Sequence, residues 1–364
     1  MVILAMDRIL VINLILLILL GLLMLASASS FLSLDDYGHP YGYVLHQLWA
    51  GVGLGILAFL FIIVVPLPWV KKMIIPFFVL VLLLLGLVLA PGIGISSGGA
   101  MRWLGFPGYT FQPSEFAKIA LVLYLALWLE KRKNFMDETK AILIPLVVLI
   151  GLLTVLLILE PDIGTLGVLL LTAASMYFVA GGKIWHFGLA IIAGLLLLAI
   201  LSMSAQYRLD RFRAYFYPDR DPQGVGYHIR QSLTAIATGG IAGKGLGLGV
   251  LKASSLPEPM NDSIFSVIAE EAGLIGVIVF LSLYAVLFVR SLQLAQKTKD
   301  SFSQLVVVGV SSWIFFQAMI HIGAVSGLLP FTGVPLPLVS YGGSNYIAIL
   351  GSLGLVFKLT RDAS

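Results

Sequence analysis

Asp262 sits in the stretch SLPEPMNDSIF, residues 255–265, just ahead of a long apolar run. A carboxylate at the mouth of an apolar helix is partly desolvated, and in that position it can take a proton as a general base. The triplet NDS also offers three helix-capping residue types in a row, so an N-cap reading of Asp262 stands beside the catalytic one. A second constellation lies in QPSEFAKIALVLYLALWL, where Pro113 and Ser114 mark a helix start with Ser114 as N-cap. Glu115 and Lys118 are then i and i+3, on one helix face and able to pair. Such a pair either snorkels at an interface or faces a cavity, because ionisable groups at membrane depth are costly and tend to be functional. Arg102, beside Trp103 in GGAMRWLGF, can grip a phosphate through two parallel N–H donors, and the indole suits a headgroup zone.

Three further stretches carry turn or loop chemistry. In LEPDIGT, Asp162 precedes Thr165 by three residues and fits an N-cap, with an electrostatic role for Glu160 or Asp162 as the alternative. The run ATGGIAGKGLGLG lacks the spacing of a nucleotide-binding P-loop, so its glycines are read as permitting close backbone approach. PFTGVPLPLVSYGG, which ends in Ser340, Tyr341 and Gly342, is too irregular to face lipid, and must be buried in protein or line a polar cavity.

The elements that hold these residues are apolar helices. The chain is 59% hydrophobic and 11% charged, against roughly 25% charged in soluble domains. Ten apolar segments fall near 9–29, 45–66, 73–90, 114–130, 141–159, 163–181, 184–204, 262–290, 303–326 and 343–358. The first is longer than a signal-peptide core and is kept as a span. Lysine and arginine collect in Arg8, Lys71, Lys72, EKRK, Lys183, RSLQLAQKTK, Lys358 and Arg361, which places those connections and both termini in the cytoplasm. The predicted fold is an all-α, polytopic membrane protein of about ten transmembrane helices, a single domain over 1–364. One large extracytoplasmic loop, 205–261, joins helices seven and eight. That loop holds seven basic residues (Arg208, Arg211, Arg213, Arg220, Arg230, Lys244 and Lys252) against four acidic ones, either as a solvated surface or as a seat for an anionic ligand. With no cysteine, the chain has no disulfide or thiol chemistry.

Taken in order, MRWLGFPGYTFQPSEFAKIAL, EPDIGT, YRLDRFRAYFYPDRDPQGVGYHIRQSLTAIATGG, LPEPMNDSIFSVIAEEAGLIG and GLLPFTGVPLPLVSYGG resemble the SEDS family, the FtsW/RodA/SpoVE group, over nearly the whole chain. Within that group the wording around Asp262 is closer to the FtsW branch than to RodA. The resemblance implies a ten-helix peptidoglycan glycosyltransferase of the bacterial cytoplasmic (inner) membrane. It would polymerise lipid II, the undecaprenyl-pyrophosphate-linked disaccharide pentapeptide, at the outer face during division or elongation. It implies a class B penicillin-binding protein as transpeptidase partner, contact with membrane lipids, and no nucleic acid. Asp262 matches the family's essential aspartate. Arg102, Glu115, Lys118, Arg211, Ser340, Tyr341 and Gly342 are the expected substrate-binding set. No metal ligand is implied, and a divalent cation such as Mg2+ or Mn2+ is left open as cofactor. Ser263, His321 and Asn345 depart from the usual pattern, where Phe, Asn and a small residue stand. Two rival readings use the same residues differently: a lipid II flippase, which wants its ionisable groups near mid-bilayer, and a non-catalytic scaffold for a transpeptidase.

In YRLDRFRAYF, Arg208, Arg211 and Arg213 alternate with Tyr207, Phe212 and Tyr215, a spacing that suits rings at headgroup level and guanidinium groups on phosphates. Arg211→Gln is expected to lower glycan synthesis at low lipid II and recover partly at high lipid II with bulk anionic lipid constant. Arg211→Lys should rescue only in part, because an ammonium cannot make the two-pronged contact. A response to total anionic lipid instead would make the segment a membrane anchor.

Overall fold

The structure is a computed structural model that describes residues 6–97, 100–106, 109–133, 139–183, 185–186, 215–216 and 224–361. Helix α1 (Arg8–Tyr37) is followed by α2 (Gly42–His46), which runs through a π-helical stretch (Gln47–Gly53) into α3 (Leu54–Val64), and then by α4 (Leu67–Val88). Three short strands, β1 (Gly94–Ser97), β2 (Ala100–Phe106) and β3 (Tyr109–Phe111), form an antiparallel sheet in the order β1-β2-β3. Helices α5 (Pro113–Arg132), α6 (Thr139–Leu159) and α7 (Ile163–Val179) come next, then α8 (Val225–Gly239) and α9 (Leu251–Ser254). The chain closes with α10 (Ile264–Lys297), α11 (Ser301–Val325) and α12 (Gly343–Thr360).

Among the described residues, five helical stretches are long and apolar enough to cross a membrane: Arg8–Tyr37, Gly42–Val64, Leu67–Val88, Ile264–Lys297 and Ser301–Val325. α6 and α7 contribute shorter apolar helices, and the expected seventh segment, 184–204, lies outside the described residues except for 185–186. α11 is the central helix, packed by α5, α7, α10 and α12, with Trp313 fully buried along it. α1 lies against α10, where Asn13 donates to the Leu283 carbonyl and Arg290 pairs with Asp7 at 2.6 Å.

Four expectations are corrected. The fold is mostly helical but not all-α. AMRWLGF alternates its side chains between two faces and pairs antiparallel with a strand on each side. The stretch 205–261 is not loop throughout, because α8 and α9 lie inside it. The cap of α5 is Gln112 rather than Ser114, since Pro113, with no N–H to satisfy, takes the first helical position. Ser114 instead bonds the Asp162 carboxylate at 3.2 Å. The cap position of α10 is Ser263 rather than Asp262. Asp162 does cap α7, accepting from the Thr165 amide at 3.2 Å.

The irregular segment 330–342 is enclosed by the bundle, with Val334, Leu336, Leu338, Val339 and Ser340 buried. Buried peptide groups need partners, and side chains from the surrounding helices supply them. Tyr284 of α10 donates to the Pro337 carbonyl (2.6 Å), Tyr346 of α12 to Leu338 (2.5 Å) and Gln317 of α11 to Pro335 (2.9 Å). His321 bonds the Val334 carbonyl at 2.7 Å, so the imidazole N–H there is on Nδ1. Gly21 lets the segment lie directly on α1: a Cβ there would fall 2.2 Å from the Leu338 carbonyl oxygen.

Candidate active site

The segment 330–342, the sheet and the strip 258–262 meet at one end of the bundle and enclose a cavity of about 480 Å3. Asp262 is in its wall, with Glu258 and Asn261 beside it. Across from Asp262 is Gly333, where an added Cβ would stand 3.3 Å from Asp262 Oδ2 and would sit on a φ of +67°. The sheet supplies Arg102, Trp103, Tyr109 and Thr110, and Gln112 follows it. His46, Pro335 and the run Tyr341, Gly342, Gly343, Ser344, Asn345 complete the lining.

Arg102 is buried and reaches across to the α6–α7 turn. Its Nε donates to the Glu160 carbonyl at 3.3 Å and its Nη2 to the Pro161 carbonyl. A guanidinium held by two carbonyls at the cavity wall is a fixed positive charge. Glu160 is fully buried, and neither carboxyl oxygen has a hydrogen-bond partner among the described residues. Burial, and then the Asp162 carboxylate, push its pKa up to about 8 against the opposing pull of Arg102.

Glu115 and Lys118 pair at 2.8 Å as expected, but they neither snorkel nor line the cavity: both are buried behind its wall. Lys118 Nζ also donates to Gln317 Oε1 at 2.7 Å and lies 5.2 Å from the centre of the Trp313 ring. Glu115 Oε2 accepts from Asn345 Nδ2 at 2.6 Å. Gln317 cannot turn its amide over, because Trp313 Nε1 donates to the same Oε1 and Nε2 donates to the Pro335 carbonyl. The charged pair thus holds two lining residues, Asn345 directly and Pro335 through Gln317.

Of the other expected residues, Tyr341 and Gly342 line the cavity and Ser340 does not. The Ser340 hydroxyl accepts from the Leu336 amide and donates to the Asn261 carbonyl, both at 2.9 Å, so it staples segment 330–342 to the strip that carries Asp262. The Tyr341 amide donates to the Met260 carbonyl at 3.0 Å, and its phenol bonds His46 Nδ1 at 2.8 Å. Burial raises the pKa of that phenol to about 12. Gly342 donates its amide to Gln47 Oε1 at 3.1 Å. Arg211 lies outside the described residues.

His46, Tyr109, Gln112, Glu258, Asn261 and Ser344 entered the site without a signal of their own in the sequence. Glu258 and Asn261 stand four and one residues before Asp262 and were within reach of the same argument. Among the described residues, no group of three or more His, Asp or Glu side chains converges as metal ligands. Asp262 and Glu258 are the two carboxylates on the cavity wall.

With this geometry in place, comparison with known proteins is decisive. The sequence profile described as "Cell cycle protein", FtsW/RodA/SpoVE, matches residues 7–364. The chain belongs to this family. Stage V sporulation protein E of Bacillus subtilis is 38% identical over 361 residues, covering 98% of this chain and 97% of that protein. A protein named probable peptidoglycan glycosyltransferase FtsW, from Thiomicrospira cyclica, is 38% identical over 360 residues, covering 98% and 92%. Among solved structures, one described as a peptidoglycan synthase complex that coordinates polymerization and crosslinking superposes with a TM-score of 0.80 at 31% identity, covering 98% of both chains. The rod shape determining protein RodA of Thermus thermophilus gives 0.71 at 29%, covering 98% and 97%. The chain is accordingly a multi-pass membrane protein of the SEDS type.

Two outcomes follow from the charged groups. Lys118→Met should destabilise the fold by roughly 3–5 kcal/mol, the usual result of leaving one member of a buried pair. The swap Glu115→Lys with Lys118→Glu should recover little thermal stability in detergent, because a carboxylate at 118 would face the locked Gln317 oxygen. Recovery close to wild type would show that only the pairing matters. For Glu160, the unfolded carboxyl ionises near 4.5 and the folded one near about 8, so folding stability falls as pH rises through that window. Glu160→Gln should flatten the pH dependence of the melting temperature between those values and melt higher than wild type above pH 8; an unchanged profile would count against a neutral Glu160.

Proposed function

We propose that the protein is a peptidoglycan glycosyltransferase that polymerises lipid II, with Asp262 as general base. The observation that carries this reading is the placement of Asp262 in the wall of the cavity, with the fixed Arg102 guanidinium among the other lining groups. The acceptor hydroxyl attacks the donor sugar carbon that bears the pyrophosphate. The C–O bond to the pyrophosphate breaks, the electron pair leaves with it, and the hydroxyl proton passes to the Asp262 carboxylate. Negative charge develops on the departing pyrophosphate, and a preorganised cation stabilises it without reorganising during the step. Arg102 fills that role, and Arg211 is proposed to assist it.

Glu115 and Lys118 act from behind the wall, Ser340 sets the distance between segment 330–342 and the Asp262 strip, and Tyr341 and Gly342 offer surface to the substrate. The distribution of basic connections supports both termini in the cytoplasm, the cavity at the outer face of the bacterial inner membrane, and a bundle of about ten spans. A class B penicillin-binding protein is the proposed transpeptidase partner, and the relatives named FtsW favour the FtsW-type branch.

Asp262→Asn should abolish glycan chains made from lipid II by purified protein, while yield, membrane insertion and melting temperature stay at wild-type levels. Polymerisation at the wild-type rate by a well-folded variant would remove Asp262 from the role of base.

A further inference from the structure

The segment 239–250, GGIAGKGLGLGV, is tied to α10 where that helix breaks its φ/ψ pattern at Gly273. The approach is as close as two backbones allow: a Cβ on Gly239 would fall 1.9 Å from the Ala269 carbonyl oxygen, and one on Gly243 would fall 2.1 Å from that of Glu271. The amides of Lys244 and Gly245 donate to the carbonyls of Glu270 and Glu271 at 3.0 Å, and those of Leu274 and Ile275 donate back to Gly240 and Ile241. Two buried carboxylates take three further amides of the segment. Glu271 accepts from the Gly247 and Gly249 amides, Ser27 of α1 and Lys252; Glu270 accepts from the Val250 amide and Lys244. These amides of the segment are thus turned inward and met there.

Its side chains do the opposite. Ile241 is 72% exposed, Leu246 57%, Leu248 66% and Val250 63%. They do not form an isolated patch. The segment joins α10 at Leu274 and Ile275, which are themselves more than half exposed and begin the outward apolar flank that continues through Ile278 and Val279. That flank belongs to a helix long and apolar enough to span a membrane. Irregular backbone is tolerated at membrane depth only when its polar groups are satisfied within the protein. Here Glu270, Glu271 and the α10 carbonyls meet that condition for the amides of Lys244, Gly245, Gly247, Gly249 and Val250.

We infer that segment 239–250 is a re-entrant element whose apolar tips, Ile241, Leu246, Leu248 and Val250, lie among lipid acyl chains in the same leaflet as the cavity. From there, α10 climbs eight residue steps from Ala272 to Ile264, roughly 12 Å along its axis. The segment fixes how deeply that helix sits and so holds Asp262 at the level of the headgroup phosphates.

The sequence contains no cysteine, so single replacements label cleanly. The whole chain carrying Ile241→Cys, Leu246→Cys or Leu248→Cys is spin-labelled and placed in phosphatidylglycerol–phosphatidylethanolamine nanodiscs, with Ile278→Cys as the lipid reference and Asp35→Cys as the aqueous one. Collision with molecular oxygen should exceed collision with a water-soluble nickel chelate severalfold at all three positions, as at Ile278. Predominant nickel collision, as at Asp35, would overturn the inference by placing the segment in water. Exclusion of both reagents would overturn it too, by showing a protein partner or a second copy seated there. Three separate positions guard against one variant that fails to fold, and the readout needs no enzymatic activity.

Discussion

The architecture depends on one constraint: an irregular, proline-rich segment passes through the interior of a helical bundle, and its buried peptide groups need partners within the protein. Segment 330–342 meets this with hydrogen bonds from Tyr284, Gln317, His321 and Tyr346, one or two from each of three helices. Each of those side chains sits where it does because the carbonyl it serves would otherwise be orphaned, at a desolvation cost of about 1–3 kcal/mol per group. The wall of the cavity is therefore also the structural centre, and its geometry is held by the packing of α10, α11 and α12.

The charged pair of α5 belongs to the same device. Glu115 and Lys118 are expensive to bury, and a pair alone seldom stabilises a fold. Their value lies in direction. Lys118 offers donors only and Glu115 acceptors only, so Gln317 must present oxygen to one and Asn345 must present nitrogen to the other. The amide orientations are fixed as a result, and with them the positions of Pro335 and Asn345 in the cavity wall. A neutral pair would fill the space without setting that polarity. Asn345 adds a contact from α12 that a smaller side chain would not make.

The same solution recurs on the far side of Asp262. Glu270 and Glu271 collect the amides of a glycine-rich turn much as the helices collect the carbonyls of segment 330–342. Asp262 stands between the two satisfied irregular segments, in a strip stapled to one by Ser340 and carried on the helix that anchors the other. Asp262 is thus positioned by backbone on both sides, and the neighbouring helix cap, Ser263, makes no side-chain bond to the α10 amides.

Much of this was legible in the residues. The apolar runs matched helices wherever their residues are described, the ion-pair spacing of Glu115 and Lys118 held, Asp162 capped its helix, and the irregularity of PFTGVPLPLVSYGG required burial. Periodicity and capping chemistry act over a few neighbouring residues, so they survive in the one-dimensional pattern. The sheet that presents Arg102 and Tyr109 was missed because short strands inside a glycine-rich connection lack the length that sets a period. What the sequence could not decide is which polar side chains meet. Glu115 reaches Asn345 across 230 positions, Ser340 reaches Asn261 across 79, and Arg102 finds the carbonyls of the EPD turn 58 and 59 residues away. Those pairings depend on how the helices pack and on where buried peptide groups are left unsatisfied, and both are settled only once the chain is folded.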